Sequence, residues 1–212
     1  LGKPRLLDLY CCAGGAGAGY AQAGFEVVGV DINPQRHYPY QFIQGDALEV
    51  LAEIGHEFDA VHASPPCQGY SWAQRIRDNE HPLSVDDVRS ALVANGKPYI
   101  IENVKGAPLK DPVMLCGAMF GLRTYRHRIF EGSIPLTAPE HPEHVAPQNK
   151  MGRVCQPHEF MHIVGNFIGA ELAREIMECP WMSRRELREA IPPAYTRHIG
   201  AQLLTHVLKE KP

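Results

Sequence analysis

Apolar positions in the first half of the chain fall in short runs, and the stretches between them carry helical spacing. Arg5–Tyr10 (RLLDLY), Glu26–Ile32 (EVVGVDI), Gln41–Gly45 (QFIQG), Phe58–Ser64 and Tyr99–Val104 (YIIENV) read as strands. Ala16–Ala23, Ala47–Ile54 and Val85–Asn95 read as helices. The last is opened by Ser84 with Asp87 three residues on, a variant of the capping box, and closed by Gly96. Strand and helix alternating in this way predict an α/β fold, a parallel Rossmann-like sheet with helices on both faces. Such sheets bind ligands outside the carboxyl ends of their strands.

From about Pro135 to Pro157 the periodicity vanishes, and proline and histidine accumulate. This stretch predicts loop and a separate small lobe. Helical spacing returns at Ala170–Glu178, at Arg184–Ala190 behind a Ser183/Glu186 capping box, and at Ala194–Lys209. The expected division is a catalytic core of residues 1–134 plus 191–212 and a lobe of residues 135–190.

Composition changes this picture little. Hydrophobic content of 44% and charged content of 21% are those of a soluble globular protein. No apolar run approaches the ~20 residues of a membrane helix, and no basic-then-apolar leader opens the chain. The six cysteines are scattered without the spacing of a disulfide framework, which suggests a reducing, cytoplasmic setting. A net charge of −3 argues against wholesale polyanion binding and leaves room for local basic faces, of which Arg123–Arg128 and Ser183–Arg188 are candidates.

The strand ends carry the candidate chemistry. After the first strand comes Tyr10-Cys11-Cys12-Ala13-Gly14-Gly15, whose small residues allow a ligand near a helix N-terminus, or else a tight packing crossing. Asp31 ends the second strand and suits a ribose diol; Asp46 ends the third and suits an exocyclic amine. There is no phosphate loop and no clean G-x-G-x-x-G register. An adenosyl cofactor without phosphates, S-adenosylmethionine (S-adenosyl-L-methionine), is therefore favoured. Beyond the fourth strand, Ser64-Pro65-Pro66-Cys67-Gln68-Gly69 leaves the sheet, because two prolines cannot continue a ladder. That puts Cys67 at the mouth of the cleft rather than in the core. Glu102, after two isoleucines, is either an active acid or half of an ion pair with an arginine.

These motifs in this order resemble the DNA (cytosine-5) methyltransferase family, in its compact, phage-like form. The likeness runs from the D-L-Y…G-G turn through P-P-C-Q and E-N-V to Arg126-His127-Arg128, and ends at Ile191-Pro192-Pro193-Ala194-Tyr195-Thr196. It implies that the Cys67 thiolate attacks C6 of a cytosine flipped from double-stranded DNA, that Glu102 protonates N3, and that Arg128 holds the base with Arg126 supporting Glu102 or Cys67. It further implies that Tyr10, Cys12, Ala13, Gly15, Asp31, Ile32, Asp46, Ala47, Pro66, Tyr195 and Thr196 bind the cofactor. Gln68 and Ser71 would belong to a loop closing over the DNA. A monomer in the cytoplasm of a bacterium or phage-infected cell is expected, with RNA methylation and a silent binding module as rivals.

Four departures from the family pattern matter. Cys12 stands in place of glycine, Asp31 in place of glutamate, and Ala194-Tyr195-Thr196 in place of glycine-asparagine-serine. Only Ile129–Ala190 is left to read sequence, which predicts a short or relaxed site of about two to four base pairs. Cys155, His158 and His162, with His141 and His144 upstream, lack a C-x₂-C partner pair, so no metal is expected and the histidines are assigned to loop packing or backbone contact.

Overall fold

The computed structural model describes residues 2–66 and 85–210. Five parallel strands form its centre: β1 (Arg5–Leu9), β2 (Glu26–Asp31), β3 (Gln41–Gln44), β4 (Ala60–Ala63) and β5 (Tyr99–Asn103). Two more follow, β6 (Val113–Leu115) and β7 (Arg128–Gly132), giving the sheet order β3-β2-β1-β4-β5-β7-β6. β7 runs antiparallel to both β5 and β6. The helices are α1 (Gly15–Ala23), α2 (Ala47–Ile54), α3 (Val85–Asn95), α4 (Ala170–Met177), α5 (Arg184–Leu187) and α6 (Pro193–Glu210).

Because both faces of the central strands are covered, they are near-continuously apolar, as parallel strands must be. Alternate residues serve opposite cores. Leu6, Val27, Ile100 and Phe130 pack with Tyr20 of α1 and Tyr195, Ile199 and Leu203 of α6. Leu7, Leu9, Val28, Val30, Val61 and Ile101 pack with Leu51 of α2 and Val88 and Leu92 of α3. This is the Rossmann-like α/β layering that the alternation predicts. A third core, of Met161, Ile163, Phe167, Ala173, Ile176, Met177, Met182 and Leu187, lies under the loop-rich segment and α4.

The antiparallel pair was not anticipated. β6 is three residues long, and β7 carries Glu131 in its buried interior, so neither reads as an apolar run. Glu131 is tolerated because Arg89 of α3 forks onto it, at 2.7 Å from Nε to Oε1 and 2.8 Å from Nη2 to Oε2. The helix expected over Arg184–Ala190 is a single turn with the predicted Ser183/Glu186 capping box. Pro192 and Pro193 stop its continuation, and a guanidinium from elsewhere takes the carbonyls of Arg188 and Ala190 that this leaves free. Among the described residues, no helix is long and apolar enough to cross a membrane.

Candidate active site

The carboxyl ends of β1, β2, β4 and β5 open on one edge of the sheet. Beyond β1 the backbone enters the left-handed region at Tyr10 (φ 58°) and Cys12 (φ 45°), unusual for side chains of that size and concentrated where function is expected. Asp31 fastens this turn to the end of β2: one carboxylate oxygen accepts from Cys12 N at 3.1 Å, the other from Asn33 N at 2.9 Å. Next to it Ile32 is 66% exposed, an apolar surface at the mouth of the sheet. Asp46 is the N-cap of α2, its Oδ1 accepting from Leu48 N and Glu49 N. The Tyr10 hydroxyl is buried without a hydrogen-bond partner among the described residues, and burial with the nearby Asp46 charge pushes it up to about 12. An exposed isoleucine, two strand-end carboxylates and an orphaned hydroxyl fit an adenosyl group.

Several expected cofactor contacts lie elsewhere. Tyr195 and Thr196 have no exposed surface: the Tyr195 hydroxyl donates to Arg126 O at 2.8 Å, and Thr196 Oγ1 donates to Ala16 O at 2.8 Å. They brace the site from behind instead of lining it. Ala13 turns its methyl into the third core, and Trp181 Nε1 donates to its carbonyl at 2.8 Å. Ala47, the first residue of α2, is buried in the second core. Gly15 is small for packing, since a Cβ there would meet Ile191 O at 2.3 Å. Gly14, Gly17 and Gly29 all make room for Tyr38, whose atoms would lie within 3 Å of a Cβ at each. The packing reading of this glycine-rich turn thus accounts for much of it. Tyr38 was missed because its loop, Asn33–Tyr40, shows no pattern of its own.

On the other side of the edge is the acid. Glu102, next to last in β5, is almost fully buried, with Arg128 Nε 2.9 Å from its Oε1. The ion pair offered as its ordinary alternative is therefore present. The contact is not aligned as a hydrogen bond, and Oε1 accepts none from the described residues. Burial outweighs Arg128, the Ser64 hydroxyl and Arg126, and holds the carboxyl above its usual range. Behind Ser64 runs a buried chain: His62 Nε2 is 2.8 Å from Ser64 Oγ, and His62 Nδ1 is 2.9 Å from Tyr20 OH. Neither His62 nor Tyr20 was singled out in the sequence, since both lie among apolar core residues.

Arg126, expected beside Glu102 or the thiol, sends its guanidinium to three backbone carbonyls: Ala190 at 2.7 Å, Ile163 at 2.9 Å and Arg188 at 2.7 Å. It locks the loop-rich segment to the catalytic edge, with only a lesser charge effect on Glu102. Asn103, also missed, donates from Nδ2 to Pro65 O at 3.1 Å and so ties the P-P-C segment to β5. Pro66 is exposed at the end of that tether. Cys67, Gln68 and Ser71 fall outside the described residues. Between Arg126, Arg128, His144 and His162 lies a cavity of about 280 Å³, small beside the ~300–1,000 Å³ of typical ligand pockets.

Comparison with known proteins places this geometry. The type II methyltransferase M.XorII of Xanthomonas oryzae is 33% identical over 122 residues, covering 49% of this chain and 29% of its own. The chain spans only about a third of the length of M.XorII and of the type II methyltransferases M.FnuDI of Fusobacterium nucleatum and M.AgeI of Thalassovita gelatinovora. Among solved structures, a putative DNA modification methyltransferase encoded within an E. coli prophage superposes with a TM-score of 0.67 at 15% identity, covering 98% of this chain and all of that one. S. pombe Dnmt2 methyltransferase superposes at 0.58 and 12% identity, covering 99% and 100%. At such identities these two matches speak for the methyltransferase fold alone. The family profile for C-5 cytosine-specific DNA methylases matches residues 5–112, which include the ends of β1 to β5 and the buried Glu102. By that match over half its length, the chain belongs to the C-5 cytosine-specific DNA methylase family.

Proposed function

We propose that the chain methylates C5 of a cytosine flipped out of duplex DNA, through a covalent bond between Cys67 and C6. The observation that carries the reading is Glu102: a buried carboxyl, held toward its protonated form, with one oxygen that accepts no hydrogen bond from the described residues, followed in the same strand by Asn103, which tethers the P-P-C segment. S-adenosylmethionine, the family's methyl donor, supplies an electrophilic methyl group when bound. Asp31, Ile32, Asp46 and the Tyr10–Cys12 turn are the residues that would hold it. A flipped base is needed because C6 is out of reach within the stack.

In this reading the Cys67 thiolate forms a bond to C6 while Glu102 gives its proton to N3, and the electron pair arrives at C5. After C5 gains its methyl group, it loses its proton to a base, the C6–sulfur bond breaks, and N3 returns its proton to Glu102. Arg128 compensates the carboxylate whenever Glu102 is ionised, so its charge keeps the acid able to cycle. Residues 135–190, fastened by Arg126, would read the target, and their size suits a short or relaxed site.

The test is mass spectrometry of the protein with the donor and a duplex containing 5-fluorocytosine, where fluorine blocks loss from C5. The expected product is a protein–DNA adduct through Cys67 carrying one added methyl. Glu102→Gln should still bind the duplex but form the adduct at least ~10²-fold more slowly. An undiminished adduct in Cys67→Ala, or none in the wild-type chain with bound duplex, overturns the covalent reading. Preferential methylation of tRNA over duplex in competition would instead identify RNA as the acceptor.

A further inference from the structure

Four side chains outside the proposed catalytic residues converge on one point. Cys116 follows β6, His127 sits between the two arginines before β7, and His141 and His144 belong to the proline-rich loop. Their ligand atoms all lie within 4.8 Å of one another. Cys116 Sγ is 3.3 Å from His144 Nε2, and His127 Nε2 is 3.1 Å from His141 Nε2. A tetrahedral zinc with bonds of ~2.0–2.1 Å to nitrogen and ~2.3 Å to sulfur spaces its ligand atoms by roughly 3.3–3.8 Å, so the two short edges are near that separation.

We propose that Cys116, His127, His141 and His144 bind a structural zinc ion. Three imidazole nitrogens and one sulfur satisfy its usual coordination number with nothing left open, which marks a structural rather than a hydrolytic site. The surroundings hold the ligands in place. Tyr125 stacks on His144 with centroids 3.6 Å apart and on Phe160 at 4.5 Å, while its hydroxyl donates to Ala146 O at 2.7 Å. Such contacts around a ligand fix its ring orientation. The neighbouring loop has little else to order it: residues 135–160 form no helix or strand, and one isolated bridge, Gln148 to Phe160, is their only β pairing among the described residues.

The site shares His141 and His144 with the histidines assigned in the sequence to loop packing or backbone contact, and replaces Cys155, His158 and His162 by Cys116 and His127. Its ligands are invisible there because Cys116 and His127 are separated from the His141-Pro142-Glu143-His144 pair by β7, and no C-x₂-C marks them. The His127 carbonyl accepts from Arg128 Nη1 at 2.9 Å, and Arg128 faces Glu102. A metal at this point therefore fastens the loop to the segment that presents the catalytic arginine.

The decisive experiment is elemental analysis of the purified full chain, with cobalt(II) as a spectroscopic probe. About one zinc per chain is expected, and cobalt should give tetrahedral d–d bands with a thiolate-to-metal charge-transfer band. His141 is exposed, so His141→Ala should leave the far-ultraviolet circular dichroism intact while lowering retained zinc at least tenfold; Cys116→Ser should remove the charge-transfer band. Cys155→Ser, outside the cluster, should change neither. Less than one-tenth equivalent of zinc after incubation with the metal, or zinc retained unchanged in both ligand variants, overturns the proposal.

Discussion

Asp8 on β1 and His62 on β4 face each other in register, and neither has any exposed surface. Burial, aided by the Asp31 charge, raises Asp8 to about 7 against the Tyr38 hydroxyl and a Gly17 amide, and burial alone lowers His62 to about 3. The two act on stability with opposite signs. Asp8 binds a proton more tightly when folded, so its contribution is full below about pH 3.8 and is lost as pH rises toward 7. His62 resists its proton when folded, so its contribution is full above about 6.5 and is lost as pH falls toward 3. Each shift is worth about 4–5 kcal/mol at most, and over the shared interval they offset. Asp8→Asn should therefore make stability climb between pH 4 and 6.5, and His62→Gln should make it decline between pH 4 and 7. Urea unfolding across pH reads both; parallel profiles for the two variants would refute the pairing.

Between elements, α3 and β7 are joined through a buried ion pair. Arg89 and Glu131 are buried, forked together, and joined by Pro108 O and Lys110 N, so two segments and a helix meet on one ion pair. Glu131→Gln leaves a buried guanidinium without its main counter-charge, and should cost about 3–5 kcal/mol, a fall in Tm of roughly 10 °C. Replacing both partners, Arg89→Met with Glu131→Leu, should recover much of that, and calorimetry that shows the double variant no better than the single would count against it. This pair also shows the limit of reading elements from sequence. β1, β2, β4 and β5 were legible because parallel strands buried on both sides must be apolar, α2 and α3 through their helical spacing, and α5 because its Ser183/Glu186 cap is local. The Ser84 cap expected for α3 lies outside the described residues. β7 was not legible, since a buried glutamate is tolerable only through a helix some forty residues away. The site divides in the same way. Strand-end acids can be inferred from their neighbours, whereas Arg126, Tyr195 and Thr196 reveal their bracing role only when the partners of their polar atoms are seen.

Across the whole molecule, α6 is the element that closes the structure. It lies along α1 so closely that a Cβ at Gly19 would fall 2.0 Å from Thr196 Oγ1 and 2.2 Å from Pro193 O. Backbone cannot step aside as a flexible side chain can, so Gly19→Ala should cost about 1–3 kcal/mol and loosen the turn that Thr196 braces. Chemical denaturation would measure it, and unchanged stability would mean that the two helices can part without penalty. Tyr195, Ile199 and Leu203 of α6 cover Leu6, Ile100 and Phe130, residues that precede them by more than sixty positions. A ribosome adding roughly 5–20 residues per second therefore finishes the sheet for roughly 3–12 seconds before its cover is made. Throughout that interval the nascent chain carries an open apolar wall, and its safe birth depends on what else in the cell reaches that wall first.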